Sequence, residues 1–160
     1  MNIKKTMPII VIIGLLLILI PSKEEDISIS IVKGEHQQIV EKDFIYAHPD
    51  AISFPAVVRS SGEKPVETEY KGIEISKLFS SLDIDLSNSE KMTFIATDGY
   101  RIILSLDEIK EPNNVYLTFQ RDGEYLKSKK QGGNGPFQLV IRRDPFSQRW
   151  IKYVEEIIID

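Results

Sequence analysis

Cysteine is absent from the 160 residues, histidine occurs twice and tryptophan once. Without a thiol the chain has no disulfide, no thiolate metal ligand and no cysteine nucleophile. Where disulfides are available and unused, a domain must rely on its hydrophobic core; a 42% share of hydrophobic residues suffices to build one. An excess of one charge is lacking too. A net charge of −4, with charged residues at 28% and both signs interspersed, recommends neither nucleic acid nor an acidic substrate as partner. It also argues against global disorder. No internal repeat and no G-x-S-x-G nucleophile elbow is present. His36 and His48, with Glu35 and Asp50 nearby, match no standard zinc spacing. A Ser-His-Asp triad stays open at this level, because its members meet only in space.

The one long apolar run lies at the start. In MNIKKTMPIIVIIGLLLILIPSKEED, Lys4 and Lys5 precede an apolar stretch from Pro8 to Ile20, and Ser22 to Asp26 is abruptly charged. Roughly 15 residues at about 1.5 Å each span some ~22 Å, short of a ~30 Å hydrocarbon core. This build fits an uncleaved signal anchor or a cleaved signal peptide, and the preceding lysines predict that the remainder is exported. No small-x-small cleavage site follows, and without cysteine no lipoprotein anchor can form. Residues 1–26 are therefore expected to form a hydrophobic targeting helix plus linker. A single pass with the C-terminal domain outside the cytoplasm, or secretion after cleavage, is the expected location.

From residue 27 the periodicity is mostly that of strands. Ile27, Ile29 and Ile31 alternate with Ser28, Ser30 and Val32, and Gly34 ends the run. Val40 to Ala47 carries one or two helical turns, stopped at His48-Pro49-Asp50. Ile52 to Ser60 and Val66 to Tyr70 are extended, with turns at Ser61-Gly62 and Lys71-Gly72. EISKLFSSL places Ile75, Leu78, Phe79 and Leu82 on one face of a helix. Lys91–Ala96 and Tyr100–Leu106 form a hairpin whose Asp98-Gly99 pair suits a type I′ turn, and Asp107 and Glu108 open a helical turn. A second hairpin surrounds Arg121-Asp122-Gly123, Phe137 to Arg142 is a strand, Trp150 to Val154 turns as helix, and Glu156–Ile159 is the last strand. The sum is one α+β, mainly β domain over 27–160.

The segments YKGIEISKLFSSLDI, MTFIATDGYRIILSLDEI, VYLTFQRDGEYL, GPFQLVI and RWIKYVEEIII, in this order, resemble the molybdopterin-binding domain of the sulfite oxidase family. The resemblance covers about residues 28–160 and is strongest from Tyr70 onward. It implies a mostly β fold with short helices around a site for a pterin dithiolene cofactor. In catalytic members a cysteine thiolate upstream of the Y-x-G element ligates molybdenum. Here that region reads ISFPAVVRSSGEKPVETEY, and Val57 to Ser61 is the counterpart without a thiol. The family's G-P-x-R-L-V-x-P-G becomes GPFQLVIRRD, with Gln138 in the arginine position and Arg142-Arg143 in place of Pro-Gly. The resemblance thus implies contacts to a molybdopterin-type ligand from Arg59, Ser60, Ser61, Tyr100, Gly133 and Asn134, with no metal ligand and no catalytic residue. The expected function is a membrane-tethered or secreted, non-catalytic or degenerate module that binds an anionic small molecule or a protein. The alternatives are a molybdenum-cofactor oxidoreductase subunit and a cell-surface scaffold without a ligand.

KKQGGNGP, from Lys129 to Pro136, is glycine-rich but leads into a strand, which suits a crossover loop rather than a phosphate cradle at a helix start. Between Arg121 and Lys152 stand eight Lys/Arg against three acids. That excess suits phosphate, an anionic lipid surface or an acidic partner, or simply a solvated face. Arg142 and Arg143, adjacent on an expected strand, would point to opposite sides. Trp150, Tyr153, Phe137, Phe146 and Tyr100 are expected mainly in the core or an interface.

Overall fold

A computed structural model describes residues 26–160, so the expected N-terminal helix lies outside the described residues. Ten strands and three short helices make an α+β, mainly β architecture. The first sheet has the order β2-β1-β10-β5-β6, from β1 (Ser28–Lys33), β2 (His36–Glu41), β5 (Lys91–Ala96), β6 (Arg101–Ser105) and β10 (Val154–Ile159). The second has the order β3-β4-β7-β8, from β3 (Ile52–Val58), β4 (Val66–Glu74), β7 (Val115–Arg121) and β8 (Glu124–Tyr125), with β9 (Gln138–Ile141) also on β7. Helices α1 (Lys42–Tyr46), α2 (Ile75–Ser81) and α3 (Leu106–Lys110) join them. Among the described residues no helix is long and apolar enough to cross a membrane.

Alternation decides which side of each strand is buried. Ile29 and Ile31 of β1, Met92 and Phe94 of β5, Ile102 and Leu104 of β6, and Ile157 and Ile159 of β10 all enter one core. Ile73, Tyr116, Leu117, Phe119 and Leu139 reach the same cluster from the second sheet, and α2 adds Ile75, Leu78 and Phe79 on the expected face. Phe54 lies 4.3 Å from Tyr116, ring centre to ring centre, and Tyr70 meets Trp150 edge-on at 5.9 Å. Trp150 donates its indole N–H to the Ile141 carbonyl at 3.0 Å, so its polar atom is satisfied inside. Trp150 and Phe137 are thus core residues, whereas Phe146 and Tyr100 are exposed.

Several expectations are corrected. β2 was not anticipated, since only Val40 of HQQIVE is buried and the strand leaves almost no alternation to read. β4 runs through Gly72 instead of turning there. A β-bulge sits between Lys71 and Gly72, and a Cβ at Gly72 would strike the Leu117 carbonyl of β7. Residues 150–154 are not helical; the one-turn 3-10 helix is Ser147–Arg149, and β10 starts at Val154. In the Asp98-Gly99 turn only Gly99 has positive φ (82°), with Gly99 N–H donating to Ala96 O at 2.8 Å and Ala96 N–H to Tyr100 O at 2.9 Å. That is a three-residue loop ending in a left-handed glycine. The type I′ pair is instead Asp122-Gly123, with φ of 51° and 84°.

Candidate functional site

The hairpin β3–β4 carries the segment where the resemblance places a metal-binding thiolate. Val57 and Val58 still pair with Glu67 and Val66; Ser60 and Ser61 are exposed residues beyond the end of β3. Arg59 is held by the chain itself. Its backbone N–H donates to Ser147 Oγ at 2.9 Å, and its guanidinium lies 3.4 Å from the Pro145 carbonyl.

A second cluster forms around Lys129. Tyr100, 54% exposed, donates its backbone N–H to Asp98 Oδ1 at 3.2 Å, and Asp98 Oδ2 faces Lys129 Nζ at 3.4 Å. The Tyr100 N–H, then the Lys129 ammonium, hold the Asp98 carboxyl below the usual carboxylate range. Lys129 Nζ stands 5.2 Å over the Tyr153 ring, and Tyr153 N–H donates to Asn134 O at 3.1 Å. Gly133 N–H donates to Ser128 O at 3.0 Å. Tyr100, Gly133 and Asn134 are therefore linked into one neighbourhood through Asp98, Lys129 and Tyr153. Arg59 has partners of its own, Pro145 and Ser147, and among the described residues no hydrogen bond or ion pair joins it to that cluster.

The glycine-rich loop is not a cradle. Lys129–Gln131 is a single 3-10 turn with a capping box between Ser128 and Gln131, and Gly132 ends it in the left-handed region. A Cβ on Gly133 would collide with the Lys127 carbonyl, and one on Gly135 with Leu126, so these glycines let the loop fold against its own chain. One wall of a cleft of about 1110 Å³ is built by this loop through Ser128, Lys129, Lys130 and Pro136. The other wall is Ser28, Ser30, Gln37, Ile39 and Glu156. No local motif marks that wall. It is assembled by the parallel pairing of β1 with β10, with Ser30 opposite Glu156.

Most of the basic excess is consumed in pairs. Arg121 Nε donates to Thr68 Oγ1 at 2.9 Å and lies 3.5 Å from Asp122, Arg142 sits over the Phe54 ring at 5.2 Å, and Arg143 pairs with Glu111. Arg149 joins Asp144 and, at 2.8 Å, Glu108. Arg142 and Arg143 form no single clamp, but they lie in the turn after β9 rather than on the strand.

His48, Ser81 and Asp50 do meet in space. His48 Nε2 is 2.8 Å from Ser81 Oγ, and Asp50 donates its backbone N–H to His48 Nδ1 at 3.2 Å. Because Nδ1 accepts, the ring proton sits on Nε2 and points at Ser81, whose hydroxyl donates to the Leu78 carbonyl at 2.7 Å. A base for serine needs the opposite arrangement, so this contact ties the turn after α1 to the last residue of α2, with His48 buried and Ser81 and Asp50 exposed. Among the described residues no three His, Cys, Asp or Glu side chains gather as a metal site.

The donor set does not fit a thiolate-ligated metal. The chain has no cysteine, and the hydroxyls nearest in sequence, Ser60 and Ser61, are exposed and un-ionised near neutral pH.

Comparison with known proteins agrees with this picture at the level of fold. No protein-family model and no curated protein matches the chain. Among solved structures, the sulfane dehydrogenase SoxCD from Paracoccus pantotrophus superposes with a TM-score of 0.64 at 16% identity, over 82% of this chain and 37% of that one. The fold is the sulfite-oxidase-like one implied by the resemblance. The chain spans well under half of that neighbour's length.

Proposed function

We propose that this chain is a non-catalytic relative of molybdopterin-binding domains, held outside the cytoplasm by its N-terminal segment and acting as a binding module. The observation that carries the reading is the β3–β4 hairpin: where the resemblance requires a metal-gripping thiolate, residues 57–61 offer none, and Arg59 is stitched to Pro145 and Ser147. An anionic small molecule or protein is the ligand class, taken up where Tyr100, Gly133 and Asn134 gather around Lys129, beside the cleft floored by β1 and β2. Arg59, Ser60 and Ser61 would touch such a ligand only as a separate, second contact.

The test is elemental analysis combined with pterin fluorescence on protein purified from its own host. Neither molybdenum nor tungsten, and no pterin, is expected at stoichiometric level. Stoichiometric metal would overturn the reading in favour of an oxidoreductase subunit. A second reading, a cell-surface scaffold, is favoured by one feature only: the first sheet turns Ile39 and Ile103 outward on its edge strands, where both are exposed.

A further inference from the structure

A second cavity, of about 1010 Å³, opens at the other end of β1, where the first sheet meets the segment after α2. The register explains its place. Cross-strand partners share a face, so His36, Lys33, Ile159, Met92 and Leu104 form one row on the core side of the sheet. Leu104, Met92 and Ile159 are buried, Lys33 is half-buried and His36 is exposed. The core thus runs out toward β2, and residues 83–89 form the opposite wall.

Ile31, Ile84 and Ile159 give this cavity an apolar strip. Carboxylates flank it on two sides: Glu35 at the β1–β2 turn and Asp160 after β10, then Asp83 and Asp85 on the facing segment. Against these four acids the lining has one lysine, Lys33, whose ammonium donates to the Asp85 backbone carbonyl. The facing segment is fixed by its own bonds. Ser87 donates its N–H and its hydroxyl to the Asp85 carboxylate, each at 2.8 Å, and Glu90 N–H donates to Asp160 O at 2.7 Å. Among the described residues the carboxylates of Glu35, Asp83 and Asp160 have no hydrogen bond and no ion pair.

Ser89 is an independent sign of a ligand. It lines the same cavity and is 8% exposed, yet its hydroxyl has no hydrogen-bond partner. Buried hydroxyls are ordinarily satisfied, and one that is not calls for a group the chain does not itself supply. The acids do not converge on a point, since among the described residues no three of them gather as a metal site. Such a lining suits a cation whose charges are spread along an apolar backbone.

We propose that this cavity binds an aliphatic polyamine, with its methylenes along Ile31, Ile84 and Ile159, its ammonium groups between the two sets of carboxylates, and one N–H donated to Ser89 Oγ. Exposed ion pairs are weak singly and screened by salt, so the affinity comes from engaging several at once over buried methylenes. None of Tyr100, Lys129, Gly133 and Asn134 takes part, so this site stands or falls apart from the proposed function.

Isothermal titration calorimetry of the purified full-length chain with spermidine, at low ionic strength, should show one saturable site. n-Butylamine, with methylenes but a single ammonium, should bind roughly tenfold more weakly. Asp83→Asn and Glu35→Gln should each weaken spermidine roughly two- to fivefold; asparagine tolerates the left-handed backbone at 83 (φ 54°), so strain does not enter. Ser89→Ala should weaken spermidine too, while leaving the urea midpoint of the free protein unchanged or raised, because the hydroxyl it removes has no partner. Glu124→Gln, an exposed acid on β8, should change nothing. Absence of a saturable site, equal binding of the two amines, or equal weakening by Glu124→Gln and Asp83→Asn overturns the inference. Unchanged binding in Ser89→Ala overturns it as well. So does displacement of spermidine by magnesium chloride beyond that by sodium chloride of equal ionic strength, which would mean a metal site.

Discussion

At the scale of single residues, the two Asp-Gly pairs do different work although they look alike in sequence. Asp122 takes a left-handed backbone and anchors β4. Its carboxylate accepts from Thr68 Oγ1 at 2.7 Å and from the Glu69 N–H at 2.9 Å. The Glu69 N–H, then the Thr68 hydroxyl, hold its carboxyl below the usual range. A carboxyl lowered in the fold contributes stability that is fully present above the unfolded value of about 3.9 and is lost as pH falls through the lowered folded value. Asp122→Asn should therefore lower the urea midpoint at pH 7 and reduce the difference between pH 7 and pH 3; an unchanged difference would refute the role. Asp98 is lowered as well, but it holds Lys129 rather than a neighbouring strand, so its substitution should disturb the candidate site more than stability. At Gly99, φ of 82° predicts that Gly99→Ala costs about 1–2 kcal/mol, read from chemical denaturation.

At the scale of elements, what local pattern encodes was legible and what distant pairing encodes was not. Helix α2 followed from the spacing of Ile75, Leu78 and Phe79, and the hairpins from glycine turns between alternating runs. Helix α3 was legible from SLDE, and the structure completes it with a capping box. Ser105 Oγ accepts from Glu108 N–H at 3.3 Å, and Glu108 Oε2 accepts from Ser105 N–H at 3.1 Å. Glu108 also meets Arg149. Burial pushes its carboxyl up, but the hydrogen bonds from Arg149 and Ser105 outweigh this and leave it below the ordinary range. Ser105→Ala should cost about 1 kcal/mol and loosen the 105–111 amides in hydrogen exchange. By contrast β2, with one buried residue, has no period to read, and the 150–154 segment was misassigned because its apolar residues serve the core from irregular backbone. The candidate site divided in the same way. Tyr100, Gly133 and Asn134 were named as what the resemblance implies, and the structure links them to one another through Asp98, Lys129 and Tyr153. The wall of Ser28, Ser30, Gln37 and Glu156 exists only because strands from opposite ends of the sequence pair.

At the scale of the molecule, β10 closes the fold. It lies at the centre of the first sheet, parallel to β1 and antiparallel to β5, joining the two ends of the described chain. Its neighbouring isoleucines test the register directly. Ile157 faces Ile31 and Phe94 on the core side and is fully buried, whereas Ile158 lies half-buried on the opposite face between Val32 and Thr93. A one-residue slip would exchange these environments. Ile157→Ala should cost about 2–5 kcal/mol through lost burial and the cavity left behind, a large share of the roughly 5–15 kcal/mol that holds a domain together. Ile158→Ala should cost the freed domain under about 1 kcal/mol, as a substitution outside the core does. Equal losses in urea titrations would mean that the register is wrong.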